Sequence, residues 1–172
     1  LGALPFLLPL LLQVGFGMTP FQSGVLTFAT AVGALGMKTL AARVIGRFGF
    51  RPVLVVVGAI SSIFLGASAI FTPATPLPVI FAILLIGGFF RSLEFTAINT
   101  IAYAQVSERE LSRATALLAV SQQLSISAGV AIGALIVDMT LRWRGATEIS
   151  AADFWPAFLI VAVVSGSWVL VF

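Results

Sequence analysis

Two charged residues inside an otherwise apolar run are the first candidates for chemistry. In GGFFRSLEFTAINTIAYAQV, Arg91 and Glu94 stand three apart, so on a helix they share a face. If that run lies in hydrocarbon, each charge costs at least about 2.5 kcal/mol on insertion scales and is kept for a pathway, a relay or pairing. One reading is a self-neutralising pair, or pairing with a group elsewhere in the protein. The other is that both line a polar cavity, with Glu94 binding a cation or proton and Arg91 tuning its acidity.

Other polar groups stand at helical spacing nearby. Thr115, Gln122, Ser125, Gly129 and Gly133 fall on one stripe. Gln122 is expected to line a cavity, because its amide needs a polar partner in hydrocarbon, although neighbouring Gln123 could serve instead. Gly129 and Gly133 read as a close helix-packing pair of the G-x-x-x-G type, and Gly58, Ser62 and Gly66 as a second packing stripe. Asn99 either joins the pathway or bonds a neighbouring helix. The same choice holds for Gln13, in a helix that Pro5 and Pro9 should loosen.

Much chemistry is excluded by composition. There is no His and no Cys among the 172 residues, so imidazole or thiolate metal sites, Ser-His triads, haem ligation and disulfides are unavailable. A membrane-embedded enzyme would need clustered nucleophiles or paired acids, and Glu94 is the only acid deep in an apolar run. No cofactor is expected. The net charge of +3 and pI near 10.7 do not indicate nucleic acid, because the basic residues sit at helix ends rather than in a patch.

The elements that must position these residues are set by hydropathy. The chain is 60% hydrophobic and 9% charged, against about 25% charged in an average soluble domain, and its mean hydropathy is +1.16. Its surroundings are therefore the lipid bilayer. About six apolar segments of roughly 20 residues can be marked off: Leu1–Phe16, Phe21–Val44, Pro52–Phe71, Val79–Val106, a fifth reaching Met139, and Phe154–Phe172. Pro52 suits a first helical turn, and SERE predicts a capping box of Ser107 and Glu110 that opens the fifth helix. The segments are too long for barrel strands and lack strict alternation, so the fold class is all-α, a polytopic transmembrane helix bundle. Beginning at Leu1 inside one apolar run and ending at Phe172 inside another, the chain is expected to be a fragment of a longer polypeptide.

Charge placement predicts orientation. Arg43, Arg47 and Arg51, with Lys38 in snorkelling reach, lie between the second and third segments, and Arg109 and Arg113 lie on the same side. The opposite side has only Arg142 and Arg144. Loops near Arg47 and Arg109 are thus expected in the cytoplasm. Arg91 then lies about 20 Å from the cytoplasmic end of its helix, close to mid-membrane.

AARVIGRFGFRP places basic residues around Gly49, which can take a positive φ and close a helix. As a bare anchor it would fix topology. It also resembles a degenerate copy of the major facilitator loop motif G-x-x-x-D-R-x-G-R-R: Arg47, Gly49 and Arg51 match, while Ala42, Gly46 and Phe50 depart from it. With the Arg91–Glu94 segment, PFLLPLLLQVGFG and QQLSISAGVAIGALIV, the chain resembles the EmrB/QacA-like drug–proton antiporters of the major facilitator superfamily. The resemblance implies that residues 1–172 are the C-terminal six-helix half of a twelve- or fourteen-helix transporter whose N-terminal half is missing. It implies a multi-pass protein of the plasma membrane, in bacteria the inner membrane. An amphipathic organic compound would be exported in exchange for protons by alternating access. A non-transporting membrane scaffold, or the membrane subunit of another complex, is the competing expectation.

Overall fold

The boundaries of the helices follow local backbone chemistry. A computed structural model describes residues 2–103, 106–107 and 110–167. Helix α1 (Leu4–Leu10) has Pro5 in its first turn and Pro9 inside. Pro9 supplies no N–H to the helical ladder, and the chain widens directly afterwards into a π-helical turn, Leu11–Gly15. Helix α2 (Pro20–Phe48) opens on a capping box. Gln22 N–H donates to Thr19 Oγ1 at 3.3 Å, and Thr19 N–H donates to Gln22 Oε1 at 3.0 Å. Gly49 alone separates α2 from α3 (Phe50–Ala67), with φ +79° and ψ 166°. The positive φ is as expected, although ψ is extended rather than that of a left-handed turn.

Helix α4 (Leu77–Tyr103) carries Arg91 and Glu94. Helix α5 (Leu111–Trp143) starts later and ends later than the expected span from Ser107 to Met139, and α6 (Trp155–Ser167) follows a 3₁₀ turn, Ala151–Asp153. The expected capping box at Ser107 does not form. Ser107 Oγ donates to Glu110 Oε2 at 2.7 Å, so the carboxylate binds the hydroxyl proton instead of reaching back to the Ser107 N–H. Helix α5 accordingly starts at Leu111 without a side-chain cap.

The fold is all-helical among the described residues. Four helices, α2 to α5, are long and apolar enough to cross a membrane, whereas Leu4–Gly15 and Ala151–Ser167 are shorter apolar segments within the described residues. Helix α2 packs most extensively on α4, α3 packs on α4 and α6, and α5 on α6 and α1. Leu7, Leu11, Leu12, Ile80, Phe154 and Phe158 are fully buried in one apolar core. A second core joins α2, α3 and α4 through Met37, Val57 and Leu93.

The α2–α4 contact is made by backbone. A Cβ at Gly33 would fall on the Leu85 carbonyl, and one at Gly88 on the Thr30 carbonyl. Ser92 Oγ adds a hydrogen bond to Ala34 O at 3.0 Å. In hydrocarbon, where apolar side chains gain nothing by leaving lipid, such close approach is what holds helices together. Many large apolar side chains, among them Phe21, Phe28, Leu117, Leu124 and Trp143, face outward, as lipid or further protein would require.

Candidate functional site

Mid-way along α4, the geometry separates the two charges that the sequence placed on one face. Glu94 is 1% exposed. Neither of its carboxylate oxygens has a hydrogen-bond partner among the described residues, and neither has Arg91 Nη1. Arg91 and Glu94 form no ion pair; the ion pairs found are Arg142–Asp138 and Arg144–Asp153. Self-neutralisation through a direct ion pair is thus not what the geometry displays.

The two charges front different larger cavities, although Arg91 also lines a narrow crevice together with Ser61. Arg91 lines a crevice of about 230 Å³ with Leu4, Pro5, Leu8 and Pro9 of α1 and Thr27 and Thr30 of α2. Glu94 lines a different cavity, of about 500 Å³, between α4, α5 and α6, where Ser125, Gly129, Ile132, Ile160 and Ser165 contribute. Ser61 of α3 lies beside the Glu94 carboxylate, yet its Oγ also lacks hydrogen-bond geometry to any partner. A buried carboxylate in so apolar a setting can accept a proton, a small cation or a hydrogen-bond donor, and it is costly when left bare.

The structure brings two other predicted residues together. Gln122 Nε2 donates to Asn99 Oδ1 at 3.1 Å, joining α5 to α4, while Asn99 Nδ2 donates to Phe95 O at 2.7 Å. Gln13, in the π-helical turn, donates to Ser23 Oγ of α2 at 3.4 Å. Gly129 lies against the backbone of Gly2 and Ala3, and Gly133 against the Leu7 side chain, so both sit where α5 meets the start of the chain. Gly66 and Ser62 meet α6 at Ala162 and Gly166.

At the α2–α3 joint, Arg47 occupies the last turn of α2, where a cation complements the helix dipole. Arg47 and Arg51 are exposed on either side of Gly49. Arg109 lies outside the described residues.

Sequence reasoning missed one polar assembly. Arg144 binds Asp153 through two parallel hydrogen bonds, Nε to Oδ1 at 2.7 Å and Nη2 to Oδ2 at 2.6 Å. Ser150 N–H also donates to Oδ2 at 2.8 Å, completing a cap on the 3₁₀ turn before α6. Burial pushes the Asp153 carboxyl up, but the Arg144 guanidinium and the Ser150 N–H outweigh it and hold the acid below the usual carboxylate range. The S-A-A-D spacing of Ser150 to Asp153 was the available signal. The same turn rests on the π-helical turn: a Cβ at Gly15 would lie 3.2 Å from Ala151 Cα.

Comparison with known proteins agrees with this architecture. The family model described as Major Facilitator Superfamily matches residues 1–172. Among similar curated proteins are two named "Putative multidrug resistance protein MdtD", from Yersinia pestis (strain Pestoides F) and Yersinia pseudotuberculosis serotype O:1b (strain IP 31758). Each is 31% identical over 176 residues, covering 99% of this chain and 37% of the relative. The chain thus spans little more than a third of the length of these relatives. No solved structure matches it.

Proposed function

This chain belongs to the Major Facilitator Superfamily, and from that premise we propose that it is the C-terminal half of an exporter of amphipathic, drug-like organic compounds. The observation that carries the reading is the middle of α4, where two ionisable side chains stand unpaired and front separate cavities. A membrane scaffold has no need of such groups, whose burial is costly. The names of the similar Yersinia proteins add the expectation of drug resistance.

In this reading the two halves rock about a central cavity that faces each side of the membrane in turn. Helices α1, α2 and α4 present the Arg91 crevice to the substrate route. Glu94 takes up a proton or cation in its cavity beside α5 and α6. Asn99 and Gln122 tie α4 to α5, and Gln13 ties the π-helical turn to α2, so that the lining moves with its helices. The basic joint of Arg47, Gly49 and Arg51 lies on the cytoplasmic side, as the surplus of basic residues there requires.

The test uses the complete polypeptide in liposomes with an imposed pH gradient. It should move fluorescent amphipathic dyes, whereas residues 1–172 alone should not. Glu94→Gln should change the pH dependence of efflux at equal protein level. Unchanged efflux with an unchanged pH profile would remove Glu94 from the coupling, and dye movement by residues 1–172 alone would overturn the half-transporter reading.

A further inference from the structure

Arg91 poses a problem that the export reading does not resolve. A guanidinium stays protonated in proteins, so at mid-membrane its charge has to be met by an anion rather than removed. Glu94 follows it on the same helix without pairing with it. The other described acids are engaged or distant: Asp138 pairs with Arg142 and Asp153 with Arg144, Glu110 binds Ser107, and Glu148 lies in the α5–α6 connection. Among the described residues, no carboxylate from α1, α2 or α3 reaches the crevice.

The rest of the crevice holds no anion, although the hydroxyl oxygens of Thr27 and Thr30 keep lone pairs that can accept from the guanidinium. Leu4, Pro5, Leu8 and Pro9 are apolar. Thr27 Oγ1 donates to the carbonyls of Ser23 and Gly24, and Thr30 Oγ1 to that of Thr27, all on their own helix. The side-chain donors left to the crevice are therefore those of the guanidinium.

We propose that the Arg91 crevice is an anion subsite that takes the carboxylate head of an amphipathic organic acid. Its volume of about 230 Å³ is below the range of roughly 300–1,000 Å³ typical of a whole drug-sized pocket, so it holds a head group while the apolar body lies outside. A planar guanidinium suits a planar carboxylate, with two parallel N–H···O bonds in a setting of low polarity. The proposal rests on the export reading in that it assigns the substrate's acidic end to the substrate route.

A matched pair of probes tests it: a fluorescent aryl-alkyl carboxylic acid and its methyl ester, bound to the complete polypeptide in neutral-lipid nanodiscs. The acid should bind at least tenfold tighter than the ester. Arg91→Gln should bring binding of the acid down to that of the ester, abolishing the preference, and Arg91→Lys should restore part of it. Equal binding of acid and ester, or a preference that survives Arg91→Gln, overturns the proposal. Repeating the assay with anionic phospholipid distinguishes the source of the anion: competition by the lipid against the acid shows a site open to any anionic head group. If dye export fails while the Arg91-dependent preference stands, the transport reading falls and the anion subsite does not.

Discussion

Arg144 and Asp153, nine residues apart across a turn, meet through two short hydrogen bonds, whereas Arg91 and Glu94, three apart on one helix, form no ion pair. The difference lies in what fixes each side chain. Between α5 and α6 the connection is free to fold back, so the guanidinium and carboxylate find parallel geometry and the Ser150 N–H adds a further hydrogen bond to Oδ2. On α4 the helix is pinned by backbone contact to α2 on one flank and packed on α3 on another, while a cavity separates it from α5 and α6. Arg91 and Glu94 are thereby directed to different spaces. Closeness in sequence gives opportunity for pairing, and the neighbours of the helix decide whether it is taken.

The sharpest way to break this comparison is at the satisfied pair. Asp153→Ala should lower the stability of the complete polypeptide by about 2–4 kcal/mol in a detergent unfolding assay. That is set below the roughly 3–5 kcal/mol of a fully buried broken pair, because Arg144 keeps 35% of its side chain exposed. The loss should be constant from pH 8 to pH 5. A carboxylate held below its ordinary range contributes stability above the unfolded pKa near 3.9, and that contribution fades only as pH falls through the lower folded value.

The unsatisfied pair should respond with the opposite sign. Glu94→Gln removes a buried, unpartnered charge and should leave stability unchanged or raise it by about 1 kcal/mol, measured in the same assay. A loss comparable to that of Asp153→Ala would mean that Glu94 is paired in the complete protein. Smallest of all, Gln122→Leu should cost about 0.6 kcal/mol, the usual worth of an interhelical hydrogen bond in lipid. An effect several times larger would place the Asn99–Gln122 bond at the centre of the bundle rather than at its edge.

Hydropathy made the four long helices legible, since the punctuation at Thr19–Pro20, Gly49 and the T-P-A-T-P turn stands out against apolar runs. It also singled out Arg91 and Glu94, because a charge in hydrocarbon is conspicuous whatever surrounds it. Their divergence was not legible, for it depends on which helices flank α4. The close contacts of Gly33 on Leu85 and of Gly88 on Thr30 were hidden for the same reason: glycine is common in these segments, and only the crossing point picks out which ones pack against the other helix. The Arg144–Asp153 clamp was concealed in a segment that read as a polar linker. The misplaced cap at Ser107 shows the limit of a local pattern, since Glu110 had a second bond open to it.

The joint at Gly49 also ties the movements of two helices together. One residue spans no more than about 3.5 Å, so the end of the 29-residue α2 and the start of the 18-residue α3 stay within a few ångströms of each other whatever angle the helices adopt. A displacement of α2 at that end draws the first turn of α3 along with it. A short flexible insert at Gly49 would uncouple the two.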